Sequence, residues 1–345
     1  MIKTERSHLR FAADSHPGMT GKENEDRYGV AAFEMAGPGR MRSVLAVLCD
    51  GIGGHRAGEV AAEMGVRIIM ETVAASDGRQ PLEMLSEAIV TANQRIFEAS
   101  QADHGRNGMG ATCACAWVIG DRLYTANLGD SRIYLLRKGH FVQLSTDHTW
   151  IQEAVDAGII TEETGNGHPN AHIIRRYLGS RKPPKPDFRL WFFEGEDDEA
   201  ARANQGLQLQ PRDRILLCSD GLTDLISDDA IRQVLAREKL SRAPEVLVGM
   251  ANEQGGHDNT TVVLLEVPRR GTGPKGARKR KWITGCLVVL VALSLIIAST
   301  LAGLHWWAER QETLATPTVT ESVIQPAMTA LPGEPGVPPA ESQVP

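Results

Sequence analysis

The chain is 345 residues long, 42% hydrophobic and 5% aromatic, with 34 Gly and a formal net charge of −6. The charge is unevenly spread: residues 269–281 carry +7, residues 309–345 carry −4 and residues 282–308 carry none, which leaves −9 on residues 1–268. An acidic main body argues against nucleic acid as its substrate, because backbone phosphates are bound by clustered Lys and Arg.

The length accommodates one large domain or two ordinary ones, with enough apolar residues for a sizeable core in a turn-rich mixed fold. No repeat of solenoid period is present. The N-terminus has no signal-peptide pattern, since Thr4 to Arg10 is charged and no apolar stretch follows. Asn24-Glu25-Asp26 then sets two acids just before the strand-like Tyr28 to Phe33. The apolar run Val44 to Leu48 predicts a buried strand. It leads into Cys49-Asp50-Gly51-Ile52-Gly53-Gly54-His55-Arg56-Ala57-Gly58-Glu59 and a helical pattern over Ala57–Thr72. A second helix is expected over Pro81–Ser100, with Pro81 near its first turn and Leu82, Leu85, Ile89 and Ile96 at helical spacing.

Strands are expected at Ala111–Ile119, Arg122–Leu128, Arg132–Arg137 and His140–Leu144, joined by the short turns Gly120-Asp121 and Lys138-Gly139 that make antiparallel hairpins. Trp150 to Ala157 reads as a short helix, Thr161-Glu162-Glu163 as a cap for a further turn, and Asn166 to Asn170 as a mobile loop. The acidic run Glu194 to Glu199 reads as a solvated loop. Further strands cover Ile215–Cys218 and Thr260–Val267. Cys49 and Cys218 sit inside apolar strands. The five scattered Cys (49, 113, 115, 218 and 286) are therefore expected as free thiols in a reducing compartment.

Carboxylates recur where these strands end. Asp50 follows one, Asp130 another in Asn127-Leu128-Gly129-Asp130-Ser131-Arg132, and Asp220 a third in Ser219-Asp220-Gly221-Leu222-Thr223-Asp224. Asp258 opens another in Gly255-Gly256-His257-Asp258-Asn259. A single Asp-Gly pair is most often a turn. Several acids at buried strand ends repel one another unless a cation holds them. Oxygen-only ligands point to Mg²⁺ or Mn²⁺, since Cys and His are not clustered as zinc would require. A phosphate cradle fails on spacing: His55-Arg56 is not the Lys-Ser or Lys-Thr of a Walker loop, and Arg56 stands where a dinucleotide fingerprint needs Gly. His148 and His168 are acid–base candidates weighed against ordinary structural roles.

Taken together, Asn-Glu-Asp, Asp-Gly-x-Gly-Gly-His-x-x-Gly-Glu, Ala-Asn-x-Gly-Asp-Ser-Arg, Ser-Asp-Gly-Leu-x-Asp and Asp-Asn-x-Thr resemble the metal-dependent protein phosphatases of type 2C in their bacterial form, over Phe11 to Val267. The segment from Asp147-His148-Thr149 to Arg176-Tyr177-Leu178-Gly179 resembles that family's mobile flap. The resemblance implies an α+β fold of two packed antiparallel sheets flanked by helices. It also implies two Mn²⁺ or Mg²⁺ ions that activate a water against phosphoserine and phosphothreonine in proteins, and a kinase whose work is reversed.

By resemblance, Asp50 bridges both ions, Asp220 and Asp258 complete one site, and the Gly51 carbonyl with Glu25 or Asp26 serves the other. Asp50, Asp220 and Asp258 are thus the implied catalytic set. Asp130, with Asp220 and Asp224, would hold a weaker third ion. Asn259, Ser131 and Arg132 are expected to shape these loops. Relatives place Arg five residues before the Asp of Asn-Glu-Asp to grip the phosphate; here that position is Gly21, with Lys22 beside it. Animal relatives carry His just after Asp-Gly; Ile52 stands there in this chain, as an apolar residue does in bacterial relatives. Two rivals remain: a pseudoenzyme that binds phosphoproteins, which loss of the acids would mark, and a nucleotide phosphohydrolase, which low aromatic content disfavours.

The expected domains are residues 1–268 as the catalytic body, 269–281 as a basic linker, 282–308 as a transmembrane helix and 309–345 as a disordered Pro-rich tail outside the cytoplasm. The uncharged run with Trp282 and Trp306-Trp307 at its ends suits a bilayer span, and the basic flank places the body in the cytoplasm, at the inner membrane.

Overall fold

The computed structural model describes residues 1–35, 41–52, 57–161, 164, 168–170, 173–269, 297–307 and 310. The chain divides into two compact units, Met1–Gly271 and Thr272–Pro345.

In the first unit, β1 (Ile2–Thr4), β3 (Arg27–Glu34), β4 (Arg42–Cys49), β7 (Cys113–Ile119), β8 (Arg122–Leu128) and β11 (Leu207–Gln208) form a six-stranded sheet in the order β1-β3-β4-β7-β8-β11. A five-stranded sheet runs in the order β10 (His140–Gln143), β9 (Arg132–Arg137), β12 (Arg214–Cys218), β13 (Thr260–Glu266), β2 (Arg10–His16). A small pair joins β5 (Gly51–Ile52) to β6 (Gly110–Ala111). Pairing is antiparallel throughout these sheets. The expected hairpins are present.

Strand periodicity explains the layers. Along β4, Val44, Ala46 and Leu48 point one way and pack with Ile133, Leu135, Ile215, Leu217 and Leu265 between the two sheets. Leu45, Val47 and Cys49 point the other way, against Ile69 and Val73 of α1 (Gly58–Ala75) and Leu85, Ile89 and Ile96 of α2 (Pro81–Ala102). On the far side, Leu216 and Cys218 meet Ile231 and Leu235 of α6 (Asp228–Arg237) and Leu247 and Ala251 of α7 (Ala243–Glu253). A run like Val44 to Leu48 is apolar without alternation because both of its faces are covered. Each such buried Leu or Val contributes about 1.5–3 kcal/mol.

Smaller differences from expectation have local causes. β2 is not among the expected strands: Arg10–His16 supplies few apolar residues, and its place in the sheet comes from pairing Arg10 to His16 along Glu266 to Thr260. The acidic run is partly a helix, because the Asp197 carboxylate accepts from the Glu199 and Ala200 amides (3.1 and 2.9 Å) and caps α4 (Asp198–Ala203). α3 (Trp150–Asp156) is present, capped by Thr149. Glu162, Glu163 and residues 166–167 lie outside the described residues. Cys49, Cys113, Cys115 and Cys218 are free and buried.

Most of the expected membrane span and tail also falls outside the described residues. Residues 297–307 are helical, and no helix among the described residues is long and apolar enough to cross a membrane.

Candidate metal centre

Register brings the acids to one end of both sheets. Cys49 pairs with Arg27, so Asp50 after β4 and Asp26 before β3 lie at the same edge. Cys113 pairs with Leu128, which places Asp130, just past β8, near the start of β7. Cys218 pairs with Val262, so α5 (Asp220–Thr223) starts beside Asp258, which precedes β13.

Close backbone approaches draw these ends together. A Cβ on Gly51 would stand 2.4 Å from the Gly58 carbonyl carbon, and one on Gly221 would stand 2.1 Å from the Asn259 oxygen. Glycine is what lets those loops touch. Asn259 ties the N-terminal loop in: its Oδ1 accepts from the Glu25 amide (2.7 Å), and its Nδ2 donates to the Pro17 and Glu23 carbonyls (3.1 Å each). The Thr112 hydroxyl accepts from the Asp50 amide (2.9 Å) and is linked to Ser131 (2.7 Å). Ser219 donates to Asp26 Oδ2 (2.7 Å) and accepts from the Thr261 amide (2.9 Å). Glu25 sits at the uncapped N-terminus of α1, where a Gly58 Cβ would meet its carboxyl at 2.8 Å.

The electrostatics follow from this convergence of acids. Burial pushes Asp50 well above the usual carboxylate range, and Asp26, Asp220, Asp130 and Asp258 raise it further. Asp220 is raised in the same way, first by burial and then by Asp130, Asp224, Asp258 and Asp26. Burial drives Asp26 to about 6, against the hydrogen bonds from Ser219 and Thr261. Asp130 rises to about 7 through burial and the neighbouring Asp147. Glu25 is raised by burial, Glu59 and Asp258. Among the described residues, Asp26, Asp50, Asp130 and Asp220 have no Lys or Arg ion pair, and Asp26 Oδ1 and Asp130 Oδ1 are buried without a hydrogen-bond partner.

Such a cluster costs free energy unless positive charge offsets it. The donors are all oxygen, which suits Mn²⁺ or Mg²⁺. No group of three or more His, Cys, Asp or Glu side chains among the described residues is closed up around an ion-sized point. The fit therefore rests on the orphaned oxygens and on the mutual repulsion of the acids.

The remaining expected residues fall around this core. Asp224 caps α5, its amide donating to the Asp220 carbonyl (2.8 Å), and its charge reaches both Asp130 and Asp220. Gly51 is half-buried in β5. Lys22 Nζ stands 3.7 Å from Asp258 Oδ1, both side chains being more than half exposed. Gly21 has φ +76, the left-handed bend that swings Lys22 toward the site. Arg132 is committed to Asp147 (2.7 Å).

His148 is buried, accepting from the Gly129 amide at Nδ1 (3.1 Å), so its Nε2 carries the proton directed at Asp187 (3.2 Å). That is a positioning role beside Asp130. His168 stacks on Trp150 (4.9 Å between centroids). Sequence reasoning did not single out Ser219, Thr112 or the ion-paired Asp147. Only the place of Ser219 immediately after an apolar strand was a signal.

Comparison with known proteins matches residues 19–253 to protein phosphatase 2C. The serine/threonine phosphatase stp of Listeria monocytogenes is 33% identical over 264 residues, covering 75% of this chain and 95% of that protein. The solved S. agalactiae serine/threonine phosphatase superposes with TM-score 0.65 at 32% identity, over 75% of this chain and 99% of the other. The catalytic domain of PstP in complex with two manganese ions gives TM-score 0.60 at 33% identity, over 75% and 97% of the two chains.

Proposed function

This chain belongs to the protein phosphatase 2C family, and from that premise we propose that it removes phosphate from serine and threonine in proteins, at the acidic end of its two sheets. The observation that carries the reading is the acids Asp26 and Asp130, buried, and Asp50 and Asp220, half-buried, with no basic partner among the described residues. Asp50 would be shared between two ions, Asp220 and Asp258 would complete one site, and the Gly51 carbonyl with Glu25 or Asp26 would serve the other. Asp130, Asp220 and Asp224 would hold a weaker third ion. Bound there, Mn²⁺ or Mg²⁺ supplies Lewis-acid polarisation of the phosphate and lowers the pKa of an attacking water.

The protein's own groups prepare the site. Thr112 and Ser131 fix the turn after Asp50, Ser219 orients Asp26, and Asn259 clamps the Glu25 loop. Lys22, close to Asp258, supplies a point charge for the substrate phosphate where relatives use the fork of an Arg. The direct test is release of phosphate from a phosphothreonine peptide in Mn²⁺ by the full chain and by Asp50→Asn. Equal turnover by the two would refute the assignment.

The same proposal places the catalytic unit in the cytoplasm, opposed to a Ser/Thr kinase, with one span near residues 283–305. What supports the span is the uncharged run 282–308 behind seven basic residues, together with exposed Ile297, Leu301, Leu304, Trp306 and Trp307 on the described helical stretch. Protease applied to intact spheroplasts should trim only the tail. Full-length protein in the soluble fraction after lysis would refute the span.

A further inference from the structure

Residues 1–268, which carry −9, nevertheless contain a basic groove of about 1030 Å³, whose walls bear Arg175, Arg176, Lys182, Lys185, Arg189 and Arg202 against three acids. Two of the six cations are engaged within the protein. Arg175 pairs with Glu153 (3.0 Å), and Arg189 pairs with Asp187 and with Asp198 (3.0 Å). Arg176, Lys182, Lys185 and Arg202 have no carboxylate partner among the described residues, and Lys182, Lys185 and Arg202 are exposed.

The groove is built, not incidental. One wall is Pro183-Pro184-Lys185-Pro186, where three fixed φ angles stiffen an extended segment and remove its amide donors. The segment is anchored at Asp187, which pairs through the backbone with Asn127 of β8 (3.0 Å each way). The Asp187 carboxylate is held by His148 and Arg189. Burial pushes it up, but those hydrogen bonds outweigh burial and keep it below the usual carboxylate range. The groove also leads to the metal centre. Arg176 Nη1 touches His148 Nε2 (3.5 Å), and His148 bonds Gly129, the residue before Asp130.

We propose that this groove receives an acidic segment flanking the phosphoserine or phosphothreonine of the substrate. The inference rests on the phosphatase reading and adds the substrate class. Residues 1–268 carry −9 and repel acidic protein segments as a whole, so a basic track beside the metal site decides which phosphoproteins approach. Charge complementarity of this kind acts on encounter and on selection among partners.

The test compares two phosphothreonine peptides, identical except that Asp and Glu in one replace Asn and Gln in the other, using the full chain in Mn²⁺. A small aryl phosphate serves as the reference substrate. The wild type is expected to favour the acidic peptide about tenfold in kcat/KM, as several exposed charge pairs together would give. Lys182→Glu/Lys185→Glu/Arg202→Glu should bring that ratio to one or below. The wild-type ratio should also shrink as NaCl is raised from about 0.05 to about 0.5 M, through screening. That salt series alone decides the matter if the triple variant does not fold. A wild-type ratio near one, or a ratio indifferent to both charge reversal and salt, overturns the groove assignment. Failure of the wild type to hydrolyse the aryl phosphate overturns instead the phosphatase reading beneath it.

Discussion

The two ends of β12 and β13 handle buried carboxylates in opposite ways. At one end Glu266 pairs with Arg214 (2.7 Å) and Arg10, and Asp213 receives the Arg137 guanidinium (2.6 Å). Asp213 at 2% and Glu266 at 6% exposure are as buried as Asp26 (2%) and Asp130 (6%) at the other end. Yet Asp26, Asp50, Asp130 and Asp220 have no such partner among the described residues, and the nearby Arg132 is committed to Asp147. The two sheets thus neutralise their acids with arginine at one end and, apart from the exposed Lys22–Asp258 pair (3.7 Å), leave them without a basic partner among the described residues at the other. The first end is built to hold the fold together. The second is built to be completed by cations.

The sharpest way to break this comparison is to change one acid at each end. Asp50→Asn should lower Mn²⁺-dependent turnover by on the order of a thousandfold or more, since the anchor proposed to be shared by both ion sites would be lost. The metal-free variant should melt no lower than the wild type, because a repelling charge has gone. Glu266→Gln should do the reverse. Leaving Arg214 and Arg10 without their carboxylate should cost about 3 kcal/mol of stability by denaturant titration, with kcat of the folded protein near normal.

Acidity sharpens the contrast further. Asp26 at about 6 and Asp130 at about 7 have folded-state values raised above the unfolded ones. The folded state therefore binds more protons than the unfolded chain, and stability falls as pH rises through that interval. Metal-free protein should lose thermal stability between about pH 4 and about pH 7, and saturating Mn²⁺ should remove that loss. A melting temperature that rises over the same interval without metal would contradict the assignment.

The smallest expected effect is at the rim. Lys22→Ala should raise KM for a phosphopeptide about three- to tenfold with kcat little changed, as loss of one partly screened phosphate contact would. Gly21→Arg restores the fork chemistry, but at φ +76 an Arg backbone is strained by about 1–2 kcal/mol. Its KM gain should therefore come with lower stability.

How much of this was legible beforehand follows from the distance over which each feature is determined. The acids at strand ends could be read because each apolar run and its terminal Asp are contiguous, and a run such as Val44 to Leu48 leaves little doubt about burial. β2 could not, since Arg10–His16 has no apolar pattern of its own and takes its conformation from β13. The acidic run is the solvated loop expected over Glu194 to Asp197, but the helix that opens at Asp198 went unread because charge outweighs capping in composition, although Asp197 before Ala200 and Ala201 is a capping arrangement. The pairs Arg132–Asp147 and His148–Asp187 join residues 15 and 39 positions apart. Only the folded sheets make them neighbours.

The central claim is that the uncompensated acids exist to bind divalent cations. Calorimetric titration of the full chain with Mn²⁺ tests it most directly, with Asp50→Asn and Glu266→Gln as paired controls. The account predicts saturable binding of two ions, as in the manganese complex of PstP, lost or sharply weakened in Asp50→Asn and retained in Glu266→Gln. Absence of saturable binding in the wild type, or equal binding by Asp50→Asn, would contradict it.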